Sequence, residues 1–241
     1  MNPATAAEAK RLFEYTKKAA DISKNLSIVV APPAIFLREL RAGYRGKKLS
    51  FGIQNAHYES KGSFTGETSM PQAKDAGAAY VIVGHAERRA MGETNEDTRK
   101  KVAAALSLSL LPILCVGETA RTVHDGEHYE FVKEQLKAGF ADVPVAKLSR
   151  VAIAYEPVWA IGAAEAMNPR DMHEMAIFIR KMLVELYGEK GMTVKILYGG
   201  SIEAANAADM LNNGDVAGLL VGRASAHADT LLALIRAIKS L

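Results

Sequence analysis

Cysteine is all but absent from this chain: Cys115 is its one thiol, inside the apolar run Leu114-Cys115-Val116. A lone cysteine excludes an intrachain disulfide framework and fits a reducing compartment, so a cytoplasmic protein is expected. Long hydrophobic runs are missing too. No stretch approaches the roughly 18 uncharged apolar residues of a membrane-spanning helix. The N-terminus, Met1-Asn2-Pro3-Ala4-Thr5, has no apolar core of a secretory signal. Charge of one sign is scarce, with 30 Lys and Arg against 27 Asp and Glu. The short basic cluster from Arg38 to Lys48 has one aromatic beside it, Tyr44, and reads as a solvated helix end and loop rather than a nucleic-acid surface. Neither a G-x-G-x-x-G nor a Walker A string occurs. His124 and His128 are four apart but lack a third ligand, so no metal site is expected.

What is present is alternation. Short apolar or β-branched runs, Leu26–Val30, Ser50–Ile53, Tyr80–Val83, Pro112–Val116, Arg150–Ala154, Val194–Leu197 and Ala217–Val221, read as strands. Between them lie segments with helical spacing, near Thr5–Ala20, Ala34–Arg41, Asn95–Ala105, His128–Ala138, Pro169–Tyr187, Ile202–Leu211 and Ala228–Ile238. Asn168 and Pro169 suit a helix cap and first turn. Regular alternation implies parallel strands joined by right-handed crossovers, and continuous apolar strands imply that both sheet faces are covered. No linker or composition break divides residues 1–241, so one α/β domain is expected. Seven strands are readable, and the pattern alone fits either a doubly wound sheet or a barrel.

Function in such folds gathers at the C-terminal ends of the strands. Four strand ends carry informative residues: Gly84-His85-Ala86-Glu87-Arg88-Arg89, Tyr155-Glu156-Pro157-Val158-Trp159-Ala160-Ile161-Gly162, Tyr198-Gly199-Gly200-Ser201 and Gly222-Arg223-Ala224-Ser225. Glycines at a strand end let the backbone approach a ligand, and the next helix offers free N–H groups to a phosphate. His85 can polarise a carbonyl, and a desolvated Glu156 can take a proton from carbon. Each alone has a plainer reading: a Gly-Gly-Ser helix cap, a structural histidine, an ion-pair carboxylate.

Together these segments resemble the triosephosphate isomerase family, which shows G-H-S-E-R-R, Y-E-P-V-W-A-I-G, Y-G-G-S and V-G-G-A-S in the same order. Gln54-Asn55, Phe64-Thr65-Gly66-Glu67 and Leu114-Cys115-Val116-Gly117-Glu118 match as well. The resemblance spans essentially the whole chain. It implies a (β/α)8 TIM barrel and a cofactor-free interconversion of dihydroxyacetone phosphate and glyceraldehyde 3-phosphate. It makes His85 the electrophile, Glu156 the base and Glu87 a member of the surrounding polar network. Pro157-Val158-Trp159 would be the first hinge of a closing loop, and Gly162, Ser201, Gly222 and Arg223 would bind the substrate phosphate through backbone groups. Thr65 would reach into a second copy, giving a homo-oligomer.

The chain departs from that family in places. The family opens on a strand ending in N-W-K-M-N, whose lysine binds phosphate; Met1-Asn2 matches only its last two residues. A barrel lacking its first strand, with impaired catalysis, is therefore expected, and its open edges should be covered by the first helix or a partner, or closed on fewer strands. Ala86 replaces a serine, Ala164 a glycine and Arg223 a glycine. Two other readings stay open: another phosphate-binding barrel enzyme, and a non-catalytic triose-phosphate-binding or assembly protein on the same scaffold.

Overall fold

The computed structural model describes residues 2–23, 25–121, 126–161 and 166–241. Seven parallel strands run in sequence order: β1 (Ile28–Val30), β2 (Leu49–Ile53), β3 (Tyr80–Val83), β4 (Leu111–Val116), β5 (Ala152–Tyr155), β6 (Lys195–Tyr198) and β7 (Gly218–Leu219). Helix α1 (Ala6–Ile22) precedes them. After the strands come α2 (Ala34–Ala42), α3 (Met70–Asp75), α4 (Ala86–Ala90) with α5 (Asn95–Ser107), α6 (Glu127–Phe140), α7 (Pro169–Tyr187), α8 (Ala207–Asn213) and α9 (Ala228–Ile238). This is the TIM-barrel plan with seven strands, and the doubly wound alternative is excluded by the sequential strand order.

Local chemistry sets the helix limits. Thr5 caps α1 by accepting from the Glu8 N–H at 3.1 Å. Thr94 and Asp97 form a reciprocal capping box on α5. Asn168 accepts from the Arg170 N–H at 2.9 Å, Pro169 fills the first turn of α7, and Gly188 ends it at φ +63°. Helix α8 begins later than its hydrophobic pattern suggests. The Asn206 side chain accepts from the Glu203 N–H and donates to the Ser201 carbonyl, and so holds residues 201–206 as a turn. The short helices α3 and α4 have too few residues to show a period.

The strands divide the apolar residues between two cores. Outward-facing Val81, Val83, Leu114, Val116, Ile153 and Ile196 pack under the helices in the main core. Gly139 of α6 lies so close to β4 that an added Cβ would stand 2.3 Å from Leu114 Cδ2. The inward set is smaller: Ile113, Cys115 and Ala154 are buried, while Tyr80, Ile82, Ala152, Leu197 and Leu220 around them are only partly so. An eight-stranded barrel is just narrow enough for its side chains to fill. Here β1 and β7 have no strand between them among the described residues, so the interior is less sealed than the helix side.

In the helix layer, α1 packs against α9. Both edge strands are shorter than their apolar runs, since each has a ladder partner on one side only. The basic cluster spanning the end of α2 and the loop after it folds onto the domain: Arg38 of α2 pairs with Asp75, Lys48 with Asp21, and the Tyr44 ring packs on Phe13 and Phe51. No helix among the described residues is long and apolar enough to cross a membrane.

Candidate active site

Glu156 follows β5, and its carboxylate is 2 % exposed. Strand register puts it there: the Glu156 N–H donates to the Val116 carbonyl at 2.8 Å, continuing the β4–β5 ladder. The neighbouring backbones are glycine because nothing larger fits. A Cβ at Gly117 would meet the Glu156 carbonyl oxygen at 1.9 Å, and one at Gly199 would meet Glu156 Cγ at 2.7 Å. Burial pushes the Glu156 carboxyl above the usual carboxylate range. His85, the Ala86 N–H and the Cys115 thiol act in the opposite direction. Burial and then Glu156 itself push the Cys115 thiol well up, so it stays a protonated donor.

His85 reaches this carboxylate from β3. Gly84 turns the chain at φ +72°, and His85 becomes the N-cap of α4. Its Nδ1 accepts from the Glu87 N–H at 3.3 Å, which leaves the ring proton on Nε2. Nε2 lies 3.1 Å from Glu156 Oε1, and the Ala86 N–H donates to Oε2 at 3.1 Å. The His85 ring and a desolvated carboxylate therefore meet, 3.1 Å apart, at the start of one helix. That arrangement can hold a carbonyl oxygen and move a proton on the carbon beside it.

The profile of the triosephosphate isomerase family matches residues 1–238. The triosephosphate isomerase of Endomicrobium trichonymphae is 39 % identical over 233 residues, covering 96 % of this chain and 93 % of that protein. The proteins of the same name from Moorella thermoacetica and Roseiflexus are 38 % and 40 % identical, each again covering 96 % of this chain, and 93 % and 92 % of their own lengths. The chain belongs to the triosephosphate isomerase family.

Other expected residues fall in distinct places around this pair. Glu87 contributes its backbone N–H, while its carboxylate is 79 % exposed and 3.9 Å from the His85 ring. Ser201 and Arg223 meet across the last two strand ends, with Arg223 Nη2 donating to Ser201 Oγ at 3.1 Å. Gly222 lies beside them with open space at its Cα. Thr65 is exposed in the loop between β2 and α3, whose base is closed by pairing between His57 and Ser69. Gly162, Ala164 and His124 lie outside the described residues. Among the described residues no group of three or more His, Cys, Asp or Glu side chains could hold a metal ion.

The polar network behind the pair was not legible in the sequence. Glu93 is the buried hub: it accepts from the Gly84 N–H at 2.8 Å and from Lys101 Nζ at 2.6 Å, and Lys101 also donates to Asn55. Arg89 donates to the carbonyls of Gly84 and Cys115 and to Asn95. Glu118 is buried under the hinge, where it accepts from Tyr155 Oη at 2.8 Å and Trp159 Nε1 at 2.7 Å. Arg89, Asn55 and Glu118 stand in strings that the sequence already singled out, without a role assigned to them, whereas Glu93 and Lys101 lie in none. A cavity of about 660 Å³ flanks Glu156 on the α6 side, and its lining omits His85, Ser201 and Arg223.

The Glu156 shift has a signed consequence for stability. Below the ordinary carboxylate range both folded and unfolded chains hold the proton. As pH rises the unfolded chain releases it first, so the native state binds more protons and loses stability through that window. The unfolding free energy of the parent minus that of Glu156→Gln should therefore fall from about pH 4 upward, at no more than about 1.4 kcal/mol per pH unit, until the native site ionises. Denaturant titrations at a series of pH values measure it; a flat difference means that the carboxyl is not shifted.

Proposed function

We propose that this chain interconverts dihydroxyacetone phosphate and glyceraldehyde 3-phosphate without a cofactor. The observation that carries this is the 3.1 Å contact between His85 Nε2 and Glu156 Oε1, with Nδ1 already committed to a backbone donor. Substrate has to enter between the two groups. Glu156 then takes a proton from C1, and the electron pair moves onto the carbonyl oxygen at C2. His85 Nε2–H supports that oxygen as the enediolate forms. The O1 hydroxyl proton passes to O2, O1 becomes the carbonyl, and return of the abstracted proton from Glu156 to C2 completes the aldose. Burial helps, because a carboxylate above its ordinary range is a stronger base toward carbon. Ser201, Gly222 and Arg223 are assigned to the phosphate, with Gly162 completing that set by resemblance.

Glu156→Gln keeps the shape and removes the base. It should lower isomerase activity roughly 10²- to 10⁴-fold in a coupled assay while leaving inorganic phosphate binding intact. Activity close to the parent's would reassign the base.

A polypeptide of these 241 residues is expected to turn over slowly. The strand that would fit between β1 and β7, and the lysine the resemblance places at its end, have no counterpart within them. Loss of one preorganised charge of that kind costs about 10²–10³ in rate. Adding an N-terminal strand that ends in Asn-Trp-Lys should raise turnover by that factor. If the extended protein is no faster, this account of the missing charge fails. If neither form turns over substrate while both bind phosphate, the non-catalytic reading takes its place.

The exposed Thr65 loop is assigned to contact with a second copy. Sedimentation should give a mass above one chain, and Thr65→Arg should lower it. A monomeric parent excludes the assignment.

A further inference from the structure

We infer that the guanidinium of Arg223, and not only its backbone, binds the substrate's phosphate monoester in this protein. The inference rests on the phosphate-ester reading of the site given above, and it names the charged group of that reading.

Three observations converge. The first is position. Gly199 packs against Glu156 Cγ, Ser201 follows two residues later, and Arg223 Nη2 is bonded to Ser201 Oγ at 3.1 Å. The guanidinium is thereby anchored across the loops after β6 and β7, where barrels commonly hold phosphate, and on the side of the mouth next to the base.

The second is availability. Among the described residues, Arg223 makes that single hydrogen bond. Its nearest carboxylate, Glu203 Oε1, is 3.8 Å away, with the two side chains 62 % and 65 % exposed. Such a screened pair holds its partners weakly. A guanidinium has five N–H donors in a fork that suits two phosphate oxygens, so most remain for a dianion.

The third is the state of the other cations around the site. Arg89 is bonded to two carbonyls and Asn95, Lys101 is buried against Glu93 and Asn55, and Arg121 lies between Glu118 and Asp171. Arg89 and Lys101 are committed to the fold by hydrogen bonds, and Arg121 by its two ion pairs, although its buried Nε has no hydrogen-bond partner among the described residues. Arg223 alone of these four combines an anchor at the phosphate loops with open donors.

A loop clip, in which Arg223 only ties β6 and β7 ends together, is the rival role. The two differ in what Glu203 does. For a phosphate cation, Glu203 competes with the ligand; for a clip, it helps the arginine. The experiment is calorimetric titration of inorganic phosphate into the parent, Arg223→Gly, Arg223→Lys and Glu203→Gln, at low and moderate salt, beside steady-state kinetics with glyceraldehyde 3-phosphate. Arg223→Gly, which keeps the backbone N–H, should weaken phosphate roughly tenfold, raise KM more than it lowers kcat, and flatten the salt dependence. Arg223→Lys should recover part of the loss, and Glu203→Gln should tighten phosphate. Unchanged phosphate affinity in Arg223→Gly, in a parent that binds phosphate and turns over substrate, overturns this inference and leaves the proposed function standing. Weaker binding in Glu203→Gln also overturns it, in favour of the clip. A parent that binds no phosphate overturns the phosphate-site reading along with it.

Discussion

A carboxylate held out of water needs donors, and the catalytic end of this protein is arranged around that need at Glu156. Parallel pairing of β4, β5 and β6 carries its backbone into the middle of the sheet, where the register leaves space only for glycine at 117 and 199. The carboxyl is then desolvated on the strand side and must be met from elsewhere. The start of α4 meets it with the Ala86 N–H and the His85 ring, and Cys115 adds a thiol from inside the barrel. The position of α4 in turn depends on the Gly84 turn, which Arg89 and Glu93 grip from both its carbonyl and its N–H. The geometry around Glu156 and the packing of the strands are thus one constraint.

The same residue joins the two halves of the site. Its backbone leads into Pro157-Val158-Trp159, where the indole is tied to the buried Glu118 carboxylate. The Val158 N–H also donates to the Glu118 carbonyl. Burial, followed by Glu118, pushes the Tyr155 hydroxyl far up, so it serves as a donor to that carboxylate throughout the ordinary pH range. On the other side, contact with Gly199 connects Glu156 to the Gly-Gly-Ser turn, and through Ser201 to Arg223. A change at either strand end would be felt by Glu156.

Stability is carried mainly outside the sheet. The outward faces of the strands pack under the helices, and α1 packs against α9, the helices nearest the two strands left unpaired at one edge among the described residues. The inward faces form a smaller and more accessible cluster. Among the described residues the larger core thus lies between strands and helices, and the smaller one inside the sheet.

Much of this was legible in the sequence. The apolar runs of β3 and the helical spans of α7 and α9 matched at both ends, and the four strand-end strings named His85, Glu156, Ser201 and Arg223. They could be read because period, caps and glycine turns are local, so short windows contain their causes. The edge strands and α8 were misjudged in extent, since ladder partners and the Asn206 turn are not expressed in hydrophobicity. The sequence determined the order of elements, the family and the residue types at the strand ends. Only the tertiary structure decided that Glu93 and Lys101 are buried partners, that Glu87 presents its backbone instead of its carboxylate, and that Arg223 lies on Ser201. These depend on which surfaces meet across the fold, and a side chain's charge does not say whether it will be left in water or taken out of it.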